Sequence, residues 1–585
     1  MKQRVLAALL LITLLVGVFS ACGEKEKEPC KVHAWGAWQV SIAPTETSEG
    51  TETRSCQNCG ERENRLVPAL GPTTPDDPNC EVSHWDADNN GKCDRCGTSV
   101  VIVLDFFSLN DLHGKVADTE SQPGIDELTT YLKQAKANNP NTFFLSSGDM
   151  WQGSAESNLT RGSILVDWMN MMGFTSMALG NHEFDWGEDV IRTNASASDF
   201  PILAINVYNK ETNQRVEYAE ASTVVDLGEV QIGIIGAIGD CYSSIASDKT
   251  TDVYFKVGKE LTALVKAEAE RLRGEGVDYI VYCLHDGNEN DVDGEVRPTQ
   301  MATYYDSELS NGYIDLVFEG HTHQFYVQTD KYGVYHLQNG GENKGVAHAK
   351  VSFNLANGKQ EVTARIVPAS TYKTYTKDLI IEELLLKYDS AIGDAFEVLG
   401  YNDTYRNSNE IKRIVAQLYY EKGVEVWGDT YDIVLGGGYI GVRSPYKLEV
   451  GDVTYADLLM VLPFDNELIL CSIKGVYLEG RFFNNNDYAV GYGAYGESVK
   501  KNIDPNKTYY IIVDSYCADY AYNNLTVIDS LGAGIYARDL LADHIRAGGL
   551  SGRSTAFYSE DGTILLAACL PPCEMEKWIL SIRPL

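Results

Sequence analysis

The chain has 585 residues, 44% of them hydrophobic, which is enough for several folded bodies and excludes globally disordered and fibrous classes. Its 48 Lys and Arg stand against 83 Asp and Glu, a formal charge of −35 that repels a polyanionic duplex and argues against a nucleic-acid reader.

Lys2 and Arg4 precede an apolar run over residues 5–19, too short for a comfortable bilayer span and suited to an export signal over residues 1–21. Ser20 and Ala21 before Cys22 resemble a bacterial lipobox, with Phe19 where Leu is usual. Cleavage there would leave Cys22 as a two-chain lipid anchor, with residues 22–29 as its tether, and place the protein at the cell envelope. An ordinary secretory signal is the alternative, and either route exports the chain.

Two small Cys/His modules follow, over residues 30–70 and 80–98, joined by a Pro, Thr, Gly and Asp-rich linker at 71–79. The first presents Cys30, His33, Cys56 and Cys59; the second repeats the order as Cys80, His84, Cys93 and Cys96. Two residues between thiols let a knuckle aim both sulfurs at one ion, so each set can close a tetrahedral structural zinc site in a module too small for a core. Export equally permits disulfides. The recurrence of a histidine at matching places favours zinc. Asp86, Asp88 and Asn90 suggest a calcium loop, but Gly97 stands where a bidentate Glu is required.

From residue 100 the texture changes. Residues 100–109, 142–145, 279–283 and 314–318 read as buried strands, with helical spacing at 125–137 and 260–273, which implies βαβ units. Asp111 and His113, then Asp149, Asn181 to Glu183, His285, and finally His321 and His323 follow these strands. Strand exits converge on one crevice in open α/β sheets. Their mixed oxygen and imidazole set suits Zn²⁺, Mn²⁺, Co²⁺ or Fe²⁺ better than Mg²⁺ or Ca²⁺, and contains no thiol. Asp149 has two oxygens with which to bridge two ions, and a two-metal hydrolase follows. His336, His348 and His544 lack such company and read as structural.

In order, Asn-Asp-Leu-His-Gly, Gly-Asp-Met, Gly-Asn-His-Glu-Phe-Asp, an isolated His and Gly-His-Thr-His resemble the calcineurin-like metallophosphoesterases, in their 5′-nucleotidase/UDP-sugar hydrolase branch. The resemblance runs from about residue 101 almost to the C-terminus. It implies an α/β fold: a four-layer αββα catalytic domain over 100–372, a connecting helix at 373–394 and a C-terminal α+β substrate domain over 395–585. It also implies that Asp111, His113 and His323 bind one ion, Asn181, His285 and His321 a second, and Asp149 both. His182 and Asp185 would be a catalytic dyad, with Glu183 behind the ligands. His323 stands where some members have Gln.

In the second domain, Gly437, Gly438 and Arg443 resemble the family's nucleotide loop, with three extra residues between glycines and arginine, and Phe464 resembles its base-stacking phenylalanine. Arg406 is a weaker candidate. The family's second aromatic segment is absent, leaving Tyr520 or Tyr522 as substitutes. The expected activity is release of phosphate from nucleoside 5′-monophosphates, with UDP-sugars as further substrates and no nucleic-acid duplex as partner. A 2′,3′-cyclic phosphodiesterase or sugar-phosphate hydrolase is the alternative, and a surface-binding protein on an inert scaffold is the alternative of another class.

Overall fold

The computed structural model describes residues 34–42, 44, 48–69, 84, 86–94, 96–117, 123–288, 305–438, 440–443, 447–478, 490–492, 503–521, 524–532, 534–551, 557–558 and 564–565. The export signal, Cys22 and its tether, Cys30, His33, the linker 71–79 and Cys80 lie outside them. Among the described residues no helix is long and apolar enough to cross a membrane.

The chain divides into two compact units. The smaller comprises residues 1–102, 311–313 and 352–361. Its strands β1 (Gln39–Ile42), β2 (Gly50–Ser55) and β3 (Arg62–Val67) form an antiparallel sheet. Arg54 lies 4.8 Å from the Trp35 ring and 4.6 Å from Trp38, and Arg65 lies 4.6 Å from Trp38, so stacked cations and rings stand in for a core. In the second module buried Cys93 packs with Val100 and Ala356, and His84 Nδ1 is 3.8 Å from Cys96 Sγ. Among the described residues no disulfide joins Cys56, Cys59, Cys93 or Cys96. The Asp86 carboxylate is turned onto the main-chain N–H groups of Asn90 and Gly91, at 3.0 Å each.

The larger unit holds both the catalytic and the C-terminal bodies. Its strands include β4 (Val101–Leu109), β5 (Thr142–Ser146), β6 (Ser176–Ala178), β7 (Ile202–Leu203), β8 (Ser222–Asp226), β9 (Gln231–Ile238), β10 (Tyr279–His285), β11 (Leu316–Glu319), β12 (Phe325–Thr329), β13 (Tyr335–Asn339), β14 (Gly345–Asn354) and β15 (Gln360–Pro368). One sheet runs β15-β14-β4-β5-β6-β7, the other β12-β13-β11-β10-β9-β8. β4 to β7 are parallel, as are β9, β10, β11 and β13. Sequences such as Thr-Phe-Phe-Leu-Ser, buried at every position, match parallel strands covered on both faces. The sheets stack directly: a Cβ on Gly236 would fall 2.3 Å from Leu203 Cβ, so only glycine permits the approach. Helix α1 (Ile125–Asn138) buries Ile125, Leu128 and Leu132 against the first sheet's core, and α2 (Lys259–Gly274) buries Val265, Ala269 and Leu272, with Leu272 against Gly233 of β9. The result is the four-layer αββα order.

The connecting segment is not one helix. It forms Ile380–Lys387 and then Asp389–Ile392, broken at Tyr388, whose hydroxyl donates to Asp167 at 2.7 Å. Beyond it, α3 (Ser408–Trp427) begins with an Asn407 and Glu410 capping box and packs on a five-stranded sheet. That sheet contains β16 (Ile433–Gly438), β17 (Leu468–Lys474), β18 (Val490–Tyr492), β19 (Thr508–Asp514) and β20 (Thr526–Ser530) in the order β18-β16-β19-β17-β20. Helix α4 (Ala537–Arg546) contributes Leu541 and Ile545 to the same core.

Candidate active site

Loops leaving β4, β5, β6 and β11, together with the last residue of β10, His285, carry the seven expected ligands to one place. Asp111 and His113 have φ of 51° and 49°, Asp149 55°, and His321 and His323 70° and 56°. Left-handed backbone costs a non-glycine residue about 1–2 kcal/mol, so these turns are held by their surroundings rather than by local preference. Gly114, at φ 67°, turns the chain away where a Cβ would sit 2.6 Å from Ser157 Cβ.

The clamps are visible. Buried Glu183 accepts from the main-chain N–H groups of Gly180 at 2.7 Å, Asp149 and Met150 at 2.9 Å, and Trp151 at 3.2 Å, binding two ligand loops to one carboxylate. Burial, with the charge of Asp149, pushes that carboxyl up to about 7 against the pull of these donors. His321 N–H donates to Asp111 Oδ2 at 2.8 Å, and His182 N–H to Asp149 Oδ1 at 2.8 Å.

The side chains meet as a cage of lone pairs. His113 Nδ1 lies 2.9 Å from the Gln152 carbonyl, which places its proton there and leaves Nε2 bare, 3.0 Å from His323 Nε2. His285 Nδ1 is likewise 2.6 Å from the Ser147 carbonyl, while its Nε2 faces Asp149 Oδ2 at 3.1 Å and Asn181 Oδ1 at 3.2 Å. His321 Nδ1 is 3.0 Å from the same Asn181 oxygen, and His323 Nε2 is 3.2 Å from Asp111 Oδ1. Acceptors aimed at acceptors call for a cation between them. Burial works against charging His285, but Asp149 outweighs it and lifts the imidazole to about 10, so the surroundings of this nitrogen favour positive charge. Burial, then His285, lowers His321 to about 4. The donor set therefore fits divalent metal ions, in two overlapping groups: Asp111, His113 and His323, and Asp111, Asp149 and His285.

A thiol stands beside the set: Cys241 Sγ lies within 4.8 Å of ring nitrogens of His285 and His321 and donates to the His285 carbonyl at 2.9 Å. Burial, then Asp286, pushes this thiol well up.

His182 Nδ1 is 2.7 Å from Asp185 Oδ2, and its ring stacks on Phe464 at 6.1 Å and 23°. Burial opposes its charge, but Asp185 and Asp149 raise its pKa above the usual value. The pair opens onto a cavity of about 420 Å³ lined by Asn181, His182, Asp185, His321, Arg443 and Phe464. The same wall includes Trp186, Tyr516, Lys249 and Lys412, none of which the sequence singled out. Trp186 directly follows Asp185, the one sequence signal that could have found it. Arg443 Nη1 donates to Gln152 Oε1 at 2.7 Å, linking the C-terminal loop to the His113 side of the site.

Other expected contacts fall elsewhere. Arg406 Nε donates to Asn402 Oδ1 at 2.9 Å and its Nη2 to the Leu550 carbonyl at 3.2 Å, so it braces its own domain outside the cavity lining. Gly438, at φ 118°, sits against Cys517 Sγ, and Gly437 belongs to the same buried strand; the lining segment is Gly441 to Arg443 instead. Tyr520 lies in the π-helical turn Cys517–Ala521, Tyr516 just before that turn lines the cavity, and Tyr522 lies outside the described residues.

Residues 106–325 match the calcineurin-like phosphoesterase family. The chain is 27% identical over 469 residues to protein UshA of Yersinia enterocolitica, covering 69% of this chain and 81% of that one. It is 22% identical to a 5′-nucleotidase of Diplobatis ommata, covering 72% and 79%. The fold is similar to the 5′-nucleotidase precursor of Thermus thermophilus, with a TM-score of 0.58, 18% identity and coverage of 76% and 96%. The chain thus carries a calcineurin-like phosphoesterase domain over residues 106–325, is a homologue of UshA proteins and 5′-nucleotidases, and is a metal-dependent phosphoric ester hydrolase.

Proposed function

We propose that the protein is an exported, dinuclear-metal phosphohydrolase that releases phosphate from nucleoside 5′-monophosphates and also accepts UDP-sugars. The observation that carries this reading is the cavity, which joins Asn181, His182 and His321 to the rings of Trp186, Phe464 and Tyr516 and to the Arg443 guanidinium. Flat apolar walls beside a cation suit a nucleobase and its polar edge, and about 420 Å³ falls within the range of small-molecule pockets.

Asp111, His113 and His323 would hold one ion, Asn181, His285 and His321 the other, and Asp149 both. When bound, such ions activate water for in-line attack and neutralise phosphate oxygens. The protein does the rest. Asp185 fixes the His182 tautomer and favours the charged ring, so that Nε2–H donates to the phosphoryl oxygens or the leaving alkoxide. Arg443 adds a cation where the acidic chain would otherwise repel an anionic ester. His84, Cys93 and Cys96, with ligand atoms within 4.8 Å of one another, would hold a structural zinc together with Cys80, and Cys30, His33, Cys56 and Cys59 a second; Cys22 would carry the lipid anchor.

Phosphate release from AMP, UMP, UDP-glucose, 2′,3′-cyclic nucleotides and sugar phosphates, each with Mn²⁺, Zn²⁺ or Co²⁺, tests the assignment. Fastest turnover of the 5′-monophosphates is expected. Rapid turnover of sugar phosphates with none of AMP refutes it.

A further inference from the structure

The turn from Gly320 to Gln324 carries two expected ligands, His321 and His323, both in left-handed backbone, and its even-numbered residues all reach one buried side chain. Gln338, on β13 and fully buried, donates from Nε2 to the Gly320 carbonyl at 2.9 Å and accepts at Oε1 from Thr322 Oγ1 at 3.0 Å and Gln324 N–H at 2.7 Å. Gln324 N–H can only donate and the Gly320 carbonyl can only accept, so the amide's orientation is fixed. Nε2 also meets the Tyr326 hydroxyl at 3.1 Å, and that hydroxyl donates to Glu319, whose other oxygen is 2.7 Å from His336 Nδ1.

We propose that Gln338 is a positioning residue for the metal centre: by gripping residues 320, 322 and 324 it forces the odd-numbered histidines into the cage. A backbone that left-handed at two non-glycine residues relaxes unless something outside the turn opposes it. Gln338 supplies that opposition at every second residue, and the buried chain through Tyr326, Glu319 and His336 keeps Gln338 itself from turning. His336, which the sequence left structural, is the far end of this support.

The inference rests on His321 and His323 being ligands, and the test separates the two claims. The full chain is stripped of metal and its Mn²⁺ affinity measured by equilibrium dialysis for the wild type, H321A, H323A and Q338E. Glu at 338 keeps the Gln324 bond but sets a carboxylate oxygen against the Gly320 carbonyl. Partners that orient ligands are worth about 10–100-fold in metal affinity. Q338E is therefore expected to bind Mn²⁺ at least tenfold more weakly while regaining its kcat at saturating Mn²⁺, a pattern that a merely structural defect does not produce. Weakened binding in H321A and H323A with wild-type affinity in folded Q338E overturns the role of Gln338 alone; wild-type affinity in both histidine variants overturns the ligand assignment beneath it. Should Q338E not fold, Thr322→Val, which removes one grip, is expected to weaken Mn²⁺ binding several-fold, and unchanged affinity there overturns the proposal.

Discussion

The loop bearing Phe464 hangs on Arg538. From α4, Arg538 Nη1 donates to the Phe464 carbonyl at 3.0 Å and to those of Leu462 and Pro463 at 3.4 Å, Nε donates to Tyr455 Oη at 3.2 Å, and Nη2 pairs with Asp465. Asp465 Oδ2 is also 2.8 Å from Arg161 Nη1 of the catalytic body. Burial disfavours the Asp465 charge, but Arg538 first and Arg161 second hold it below the usual carboxylate range. Removing one partner of a buried pair costs about 3–5 kcal/mol. Arg161 remains, though half exposed, so Arg538→Met is placed at the low end, about 3 kcal/mol, or a melting temperature lower by roughly 5–10 °C. Calorimetry of the metal-loaded chain measures the shift. Because the Phe464 carbonyl loses its donor, KM for AMP should rise more than kcat falls. Adding Asp465→Asn to Arg538→Met should recover part of the stability, since the stranded charge is gone. A melt within about 2 °C of wild type together with an unchanged KM refutes the reasoning.

Asp149→Ala removes the carboxylate proposed to bridge both metal positions, and turnover with saturating Mn²⁺ should fall by about two orders of magnitude or more; undiminished turnover sinks the two-ion mechanism. His182→Ala should lose about 10²–10⁴ in kcat, and Asp185→Asn less, with the pH–rate profile shifted down as the imidazole loses its anion. Glu183→Gln leaves two of four buried N–H groups facing an amide NH₂; at about 1–3 kcal/mol each this costs about 2–6 kcal/mol, read from thermal melts. Asp514 carries a pH signature: burial lifts its carboxyl to about 6, from an unfolded value near about 4. The folded domain therefore loses stability as pH rises between those values, by about 3 kcal/mol in all, and Asp514→Asn, which keeps the acceptor for Cys517 N–H, should flatten the profile of melting temperature against pH.

The candidate metal-binding cluster was legible because its members obey local rules. A ligand at a strand exit needs a sharp turn just after it, so Asp111, His113, Asp149 and Asn181 each sit within a few residues of a glycine, and the chemistry repeats often enough to be read. Strands such as β5 and β10 were legible from their apolar runs, which are there because both faces are covered. The helix break at Tyr388 was not, since Asp167, more than two hundred residues earlier, fixes that hydroxyl.

The substrate wall follows no such rule. Trp186, Lys249, Lys412 and Tyr516 come from four segments, and nothing near any of them distinguishes a cavity ring from a core ring or a cavity lysine from a solvated one. Where a local pattern did exist it misdirected. The glycines of β16 are small because the sheet has neighbours pressed on it: a Cβ on Gly436 would fall 2.2 Å from Tyr420 N of α3, and one on Gly438 2.8 Å from Cys517 Sγ. Close packing explains them without any ligand, and the three residues inserted before Arg443 carry the lining role past them to Gly441. Arg406 was drawn in by its charge, yet its donors are spent on Asn402, Asp403 and the Leu550 carbonyl. Ligand residues are chosen by chemistry that few side chains can perform, whereas walls are chosen by shape, and shape is assembled only when distant segments meet.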